Sequence, residues 1–430
     1  MLLGRCEEMK IALVQPPMGR LIDPAMYPPT GLLYIAAAVD KHKPNHSVEV
    51  INFGDSSIDN AVEKLSDFDI VGIAIVSPYR KSAEDLARAC ARPGRTIVAG
   101  GPHATIYPSA MLDTGLFGAV FVGQAERSFI SFLDDIDSGR EIARRYDCID
   151  GELDDIEMPR IAYGHGDRGV VVLSSRGCVN RCAFCAGHAC FNRIQLHSAK
   201  RVLEEVDRIA EAGFKEFRFL DDMFAISTIR LKEICEGLKH YGLEWSCHTR
   251  VDRVSNETVA MMEDAGCYEM GIGVESFDQR VLDVCNKRTT VMQNVQAINI
   301  IYEHGIDVHV YMMIGTPGET ESTADTNIQF LEALKGKYKR MQFSTFMPFP
   351  GSDTWSTPEA YGIDIVDTNY CDYTQHQYVR DGEQIKEVPL WSPIRIHGLD
   401  YEKQMANLLK MRKYIDHLKE YRNKRIPGDV

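Results

Sequence analysis

Two successive runs of alternating strand and helix patterns leave this chain few folds to choose from. In the first run, apolar stretches at Ile11–Gln15, Val48–Phe53, Ile70–Val76, Thr96–Ala99 and Ala119–Val122 alternate with helical patterns at Leu32–Asp40, Ile58–Leu65, Ala83–Ala91 and Ser128–Asp135. Apolar strands separated by helices belong to a parallel sheet covered on both faces. Residues 9–137 are therefore expected to form a doubly wound α/β domain. Turn residues stand at the strand ends, where such sheets bind ligands: Pro16-Pro17, Gly54-Asp55, Ser77-Pro78 and Gly100-Gly101-Pro102. Residues 138–168 are polar and aperiodic and read as a linker wrapped between domains.

The second run covers 169–350. Strands are expected at Val170–Ser174, Glu216–Leu220, Leu243–Cys247, Tyr268–Val274, Asp307–Ile314 and Met341–Met347, with helices between them. Six β/α units suit a partial parallel barrel, (β/α)6, with its chemistry at the C-terminal strand ends. Residues 351–430 read as a short α-rich region capping the barrel, closed by a charged helix from about Tyr401 to Arg425.

Charge narrows the partners. Lys and Arg number 48 against 62 Asp and Glu, a formal net charge of -14. A nucleic-acid binder carries a basic face instead, so no nucleic-acid partner is expected. No stretch approaches the roughly 20 apolar residues of a membrane span. Met1 to Lys10 carries Arg5, Glu7 and Glu8 and does not read as a signal peptide; Met9, just before the first strand, is an alternative start. Twelve cysteines in such a chain are reduced thiols or metal ligands, which points to the cytoplasm.

Three of those cysteines, Cys178, Cys182 and Cys185, directly follow the first barrel strand with the spacing C-x3-C-x2-C. Structural zinc asks for four ligands from paired units, and no second C-x2-C exists here. Cubane iron–sulfur clusters usually take four thiolates. Three would leave one iron open to a substrate or cofactor. Cys190, five residues on, reads as a loop thiol without a role.

The triplet in this position resembles the radical S-adenosylmethionine (SAM) superfamily. That resemblance implies a [4Fe-4S] cluster whose open iron binds SAM and whose electron cleaves it to methionine and a 5′-deoxyadenosyl radical. Cys178, Cys182 and Cys185 would then be the metal ligands and the catalytic centre. Further segments resemble the family's SAM contacts. Asp221 and Asp222, after the second strand, would meet the methionine amino group. Glu275, closing Gly271-Ile272-Gly273-Val274-Glu275-Ser276, would accept from the ribose hydroxyls. Gly315, in Gly315-Thr316-Pro317-Gly318-Glu319, belongs to the segment whose backbone approaches adenine. Phe184 would lie at the adenine edge, and Arg250 is the candidate partner of the SAM carboxylate. His248, on the third strand, points into the barrel or away from it.

The first domain is similar to the cobalamin-binding, Rossmann-like domain that precedes many such barrels. The likeness rests on Tyr27-Pro28-Pro29-Thr30-Gly31-Leu32, Gly100-Gly101-Pro102-His103-Ala104 and Val122-Gly123-Gln124-Ala125-Glu126. Ser77, Gly100 and Gly101 would line the slot for the nucleotide tail, and His103 is a candidate contact to corrin or substrate. The Asp-x-His-x-x-Gly motif that supplies an axial imidazole is absent. The function implied is a cobalamin-dependent radical methyltransferase acting on an unactivated carbon of a small molecule. The alternative is a radical cyclase, dehydratase or rearrangement enzyme whose first domain does not methylate or is empty. A methylthiotransferase is disfavoured, because Cys6, Cys90 and Cys148 are scattered and no small β-barrel follows. The resemblance also implies an outside electron donor such as flavodoxin or ferredoxin. Tyr370, Tyr373, Tyr378 and Trp391 are candidate pocket aromatics.

Overall fold

A computed structural model of the 430-residue chain describes residues 8–19, 28–161, 170–191, 193–369, 378–381, 384–387 and 391–425. The first sheet comprises β1 (Lys10–Gln15), β2 (Ser47–Asn52), β3 (Ile70–Ala74), β4 (Thr96–Gly100), β5 (Ala119–Val122) and β6 (Arg145–Asp147), all parallel. Their order is β2-β1-β3-β4-β5-β6. Side chains alternate across it. Ala12, Val14, Val71, Ile73, Ile97 and Ala99 pack into one apolar layer, and Ile11, Leu13, Ile70, Val98, Ala119 and Phe121 into the other. Burial on both faces is why these strands read as continuous apolar runs. The order reverses direction between β1 and β3, which opens a crevice at their carboxyl ends.

The expected linker supplies a strand of this sheet. β6 joins β5 in the register Val120↔Arg145. Only Tyr146 of β6 is buried; it stacks on Phe121 at 5.3 Å between ring centroids. Two exposed arms around one aromatic give an edge strand no apolar run. The rest of the segment does wrap: Asp154 accepts from His197 at 2.9 Å and from the Ser198 N–H, where a barrel helix begins.

The second sheet runs in simple chain order, β7 (Val171–Val172), β8 (Glu216–Phe219), β9 (Glu244–Arg250), β10 (Cys267–Glu275), β11 (Asp307–Ile314) and β12 (Arg340–Thr345), all parallel. Its helices start on hydroxyl caps. Ser198, Ser227, Ser255 and Thr290 each accept a backbone N–H three residues on, and Ser255 and Thr290 form full capping boxes. Phe217, Phe219, Trp245, Met270, Ile272, Val308 and Val310 bury against those helices. The alternate residues face inward and are polar. Arg218 donates to Ser246 at 2.9 Å and to Glu269 at 3.1 Å. His248 therefore points into the barrel, with Nε2 3.0 Å from the Tyr311 hydroxyl.

After the barrel, the helix Tyr401–Arg425 buries Leu408 and Met411 in the barrel core. This region also holds two short antiparallel strand pairs that the α-rich expectation lacked, Ile363–Ile365 with Ile394–Ile396 and Tyr378–Asp381 with Gln384–Glu387. Tyr370 and Tyr373 lie outside the described residues, and only the backbone of Tyr378 is described. No described helix is long and apolar enough to cross a membrane.

Candidate cofactor sites at the strand ends

The first barrel strand is cut short by a side chain. Asp221 accepts from the Ser174 N–H at 2.7 Å, the Ser174 hydroxyl and the Ser175 N–H at 3.1 Å. Backbone donors committed to a carboxylate cannot extend a ladder, and the chain turns into the cysteine loop. Asp221 is buried in this role and does not line the large cavity described below. Asp222 does line it. Of the two carboxylates expected at SAM, Asp221 is thus committed to the backbone, and only Asp222 lines the cavity. Protein around Asp222 pushes its carboxyl above the ordinary range.

Each cysteine of the triplet has an N–H aimed at its sulfur. Asn180 directs its backbone N–H at Cys178 from 3.4 Å, Arg250 its Nη1 at Cys182 from 3.3 Å, and Gly187 its N–H at Cys185 from 3.4 Å. Burial raises the Cys182 thiol, with Lys287 and Arg250 opposing it, and pushes Cys185 up to about 11. An iron–sulfur cluster would take all three as thiolates, and the donors in place suit a charged sulfur. Among the described residues no three His, Cys, Asp or Glu side chains could hold a single metal ion. Three cysteine sulfurs, each met by an N–H donor, fit thiolate ligation of an iron–sulfur cluster.

A second loop braces the first. Cys285 accepts from the Ala183 N–H at 2.9 Å, and Asn286 donates to the Arg181 carbonyl at 2.7 Å. Lys287 follows and is buried; its Nζ lies 2.7 Å from Glu275 and 5.8 Å from the centre of the Phe184 ring. Its carbonyl accepts from Arg250 at 2.6 Å, while Arg250 Nε meets Asp252 at 2.8 Å. Phe184, Arg250 and Glu275 are thus brought together around Cys182. Glu275 holds a left-handed φ of 63°, an uncommon conformation for a residue with a side chain, where β10 shifts register against β11. A Cβ on Gly273 would sit 2.6 Å from the Glu275 carboxylate and 2.9 Å from Lys287 Nζ, so a side chain there would shift the ion pair from this position. Lys287 carries no signal in the sequence: it stands in an aperiodic turn after a six-residue helix.

Gly315 is placed differently. Its N–H donates to the buried Glu319 carboxylate at 2.6 Å, and a Cβ on it would lie 3.7 Å from Leu408 of the C-terminal helix. Glu319 also accepts from the Thr316 N–H at 3.0 Å, and burial raises its carboxyl to about 7.

A cavity of about 570 Å³ opens at the switch between β1 and β3. Leu13, Gly72, Ala74, Gly100 and Gly101 form its floor, with Thr30 and Gly31 at one side and Gly123 to Glu126 at another. It extends to the barrel, where Ser175, Arg176, Gly177, Cys190, Leu220 and Asp222 complete the lining. Gly101 sits at φ 88°, where a Cβ would strike the Ile75 backbone nitrogen at 2.9 Å. A bare glycine floor at a switch point suits a flat, bulky ligand tail. Ser77 and His103 do not line this cavity, contrary to expectation. Both are buried, with Ser77 Oγ 2.9 Å from His103 Nδ1 and the His103 ring edge-on to Tyr107. His103 stands on the short helix Pro102–Ile106 that begins after Gly101, and its ring packs back onto Ser77 and Tyr107 instead of entering the crevice. Burial lowers His103 to about 4.

Residues 172–331 match the Radical SAM superfamily and residues 24–133 match the B12 binding domain. An uncharacterized methyltransferase of Pyrococcus horikoshii is 30% identical over 403 residues, covering 85% of this chain and 86% of that protein. This chain belongs to the radical SAM superfamily. Its branch carries a B12-binding domain ahead of the barrel. An anaerobic magnesium-protoporphyrin IX monomethyl ester cyclase of Rubrivivax gelatinosus is 25% identical over 371 residues, 76% of this chain and 65% of that enzyme. The solved structure of the radical SAM methyltransferase TsrM of Kitasatospora setae, with cobalamin and a [4Fe-4S] cluster bound, shares the fold: TM-score 0.67, 16% identity, 80% of this chain and 74% of that one. As a radical SAM enzyme with a B12-binding domain, the chain has a [4Fe-4S] cluster, SAM and cobalamin as its cofactors. The triplet and the glycine-floored cavity fit these groups.

Proposed function

We propose that this radical SAM enzyme is a cobalamin-dependent methyltransferase acting on an unactivated carbon of a small molecule. One observation carries the reading: a single cavity runs from the glycine floor of the first sheet to the residues directly before Cys178. When bound, the cluster supplies the electron that cleaves SAM to a 5′-deoxyadenosyl radical, and cobalamin supplies a methyl group drawn from a second SAM. The chain's own task is to hold, orient and shield.

Cys178, Cys182 and Cys185 would hold three irons and leave one open. Arg250, committed to Asp252, Cys182 and the Lys287 carbonyl, would fix Cys182 rather than reach out to a carboxylate. Asp222 would meet the SAM amino group from the cavity side. Glu275, oriented by Lys287 Nζ, would accept from the ribose, with Phe184 near the adenine. Gly72, Gly100 and Gly101 would take the cobalamin tail. A corrin-carrying unit then spans residues 9–137 plus β6, and the barrel 169–350 carries the SAM chemistry. An electron donor of the flavodoxin or ferredoxin kind, a reducing cytoplasm and no nucleic-acid partner complete the proposal, the last supported by the net charge of -14.

The likeness to the Rubrivivax cyclase supports a second reading, in which the radical drives ring closure without methylation. S-adenosylhomocysteine, left when a second SAM gives up its methyl group, separates the two. Protein purified without oxygen from cobalamin-fed cells, with its cluster reconstituted, is expected to hold close to one corrinoid per chain. It is also expected to form S-adenosylhomocysteine beside 5′-deoxyadenosine. Formation of 5′-deoxyadenosine without S-adenosylhomocysteine favours the cyclase reading.

A further inference from the structure

The chain just after the first barrel strand carries a buried guanidinium. Arg176 lies two residues before Cys178, in the two-residue strand Ser175–Arg176, and is 8% exposed. Its partners belong to the other domain. Nη2 lies 2.7 Å from Glu126 Oε1, Nη1 donates to Gln124 Oε1 at 2.9 Å, and the guanidinium carbon stands 4.8 Å from the centre of the Tyr34 ring. Gln124 is itself bonded to Gln195, the cross-strand neighbour of Arg176. Gln124, Glu126, Arg176 and Gly177 all line the shared cavity.

Such an arrangement is a poor device for stability alone. A buried ion pair is often no better than an apolar pair of the same size, because both charges must leave water. What it adds is geometry, since a guanidinium fork donates its hydrogen bonds in fixed directions. Transfer between two bound groups is acutely sensitive to their separation; a misplacement of about 1 Å can lower a rate on the order of a hundredfold.

We propose that Arg176, clamped by Glu126 and Gln124 under the ring of Tyr34, is the positioning residue that sets the separation between the cysteine-loop cofactor and cobalamin. The proposal rests on the cobalamin reading above. The clamp joins the loop that carries Cys178 to the Gly123–Glu126 turn that lines the corrin cavity. Shifting either end would then shift the other.

The test uses full-length protein with a reconstituted cluster and bound hydroxocobalamin, reduced to cob(II)alamin. Wild type is scored first: if it binds no corrinoid, the underlying reading fails, independently of Arg176. Given binding, Arg176→Gln is expected to keep its iron, its corrinoid and its dithionite-driven formation of 5′-deoxyadenosine. The electron-spin relaxation that the reduced cluster imposes on cob(II)alamin is expected to change, reporting a displacement of about 1 Å or more. Arg176→Lys is expected to restore it in part, keeping the charge without the fork. Unchanged relaxation in Arg176→Gln overturns the proposal. So does a loss of corrinoid affinity with unchanged relaxation in the bound fraction, which would make Arg176 a direct corrin contact. Should Arg176→Gln fail to fold, Glu126→Gln gives the same readout with the guanidinium in place, and the same outcomes decide it.

Discussion

Burial holds the His103 ring at a pKa of about 4, and the Arg80 charge adds to the effect. An exposed histidine in the unfolded chain titrates near 6.5. Above that pH both states are neutral and the folded state keeps its full advantage. As pH falls from about 6.5 to about 4, the unfolded chain takes up a proton that the folded chain refuses, so stability drops. The loss reaches at most about 1.4 kcal/mol per pH unit, on the order of 3 kcal/mol in all. His197 and His248, also lowered to about 4 by burial, act in the same direction. His103→Gln is therefore expected to flatten the fall by one proton without removing it. Urea unfolding of both proteins between pH 7 and 4 measures the difference, and equal slopes would count against it. Asp221→Ala makes a second case. It leaves the buried Ser174 and Ser175 N–H groups without their acceptor, at a cost of about 2–4 kcal/mol by urea unfolding at pH 7. The cysteine triplet was legible because its spacing is itself the signal. Asp221 and Asp222 could not be separated by sequence, since adjacent residues face opposite ways and nothing in their identity says which faces the cavity. Lys287 was invisible for a related reason: its importance comes wholly from partners 12 residues back in sequence, at Glu275, and at Phe184.

Gly100 and Gly101 end the same strand, yet the fold asks different things of them. A Cβ on Gly100 would meet nothing nearer than Phe121 at 3.8 Å, whereas one on Gly101 would meet backbone atoms of Ile75 at 2.9 and 3.0 Å in a conformation that L residues avoid. Gly101→Ala is expected to destabilise the protein by at least about 2 kcal/mol, and Gly100→Ala to unfold within about 0.5 kcal/mol of wild type. Denaturant midpoints compare them directly; equal midpoints would refute the strand-end geometry. Elements with a period were legible in this way, because parallel strands buried on both faces must be apolar and their helices must be amphipathic. β6 was not legible. Its hold on the sheet comes from Tyr146, which stacks on Phe121 and donates to Asp135 at 2.8 Å, and those partners lie far from it in sequence. The inward face of the barrel was equally hidden, since Arg218 meets Glu269 and His248 meets Tyr311 across strands rather than along them.

At the scale of the whole molecule, charge would decide where the proposed electron donor docks. A net charge of -14 should repel an acidic donor of the flavodoxin or ferredoxin kind. Beside the cysteine loop stand two exposed cations. Arg181 and Arg288 are both exposed, and Asn286 joins them: its Nδ2 donates to the Arg181 carbonyl at 2.7 Å, and its Oδ1 accepts from Arg288 Nε at 3.1 Å. At physiological ionic strength exposed charges are screened beyond about 8 Å. A docked donor would therefore feel these arginines more than the distant acidic surface. Donor-driven formation of 5′-deoxyadenosine is expected to slow as salt rises from about 50 to 300 mM, as for attraction between opposite charges. Arg181→Glu combined with Arg288→Glu should slow it further at low salt and reverse the trend. Dithionite needs no docking surface, so rates driven by it should match wild type in that variant. A donor-driven rate that rises with salt in wild type would mean that the global charge prevails and that the donor approaches elsewhere.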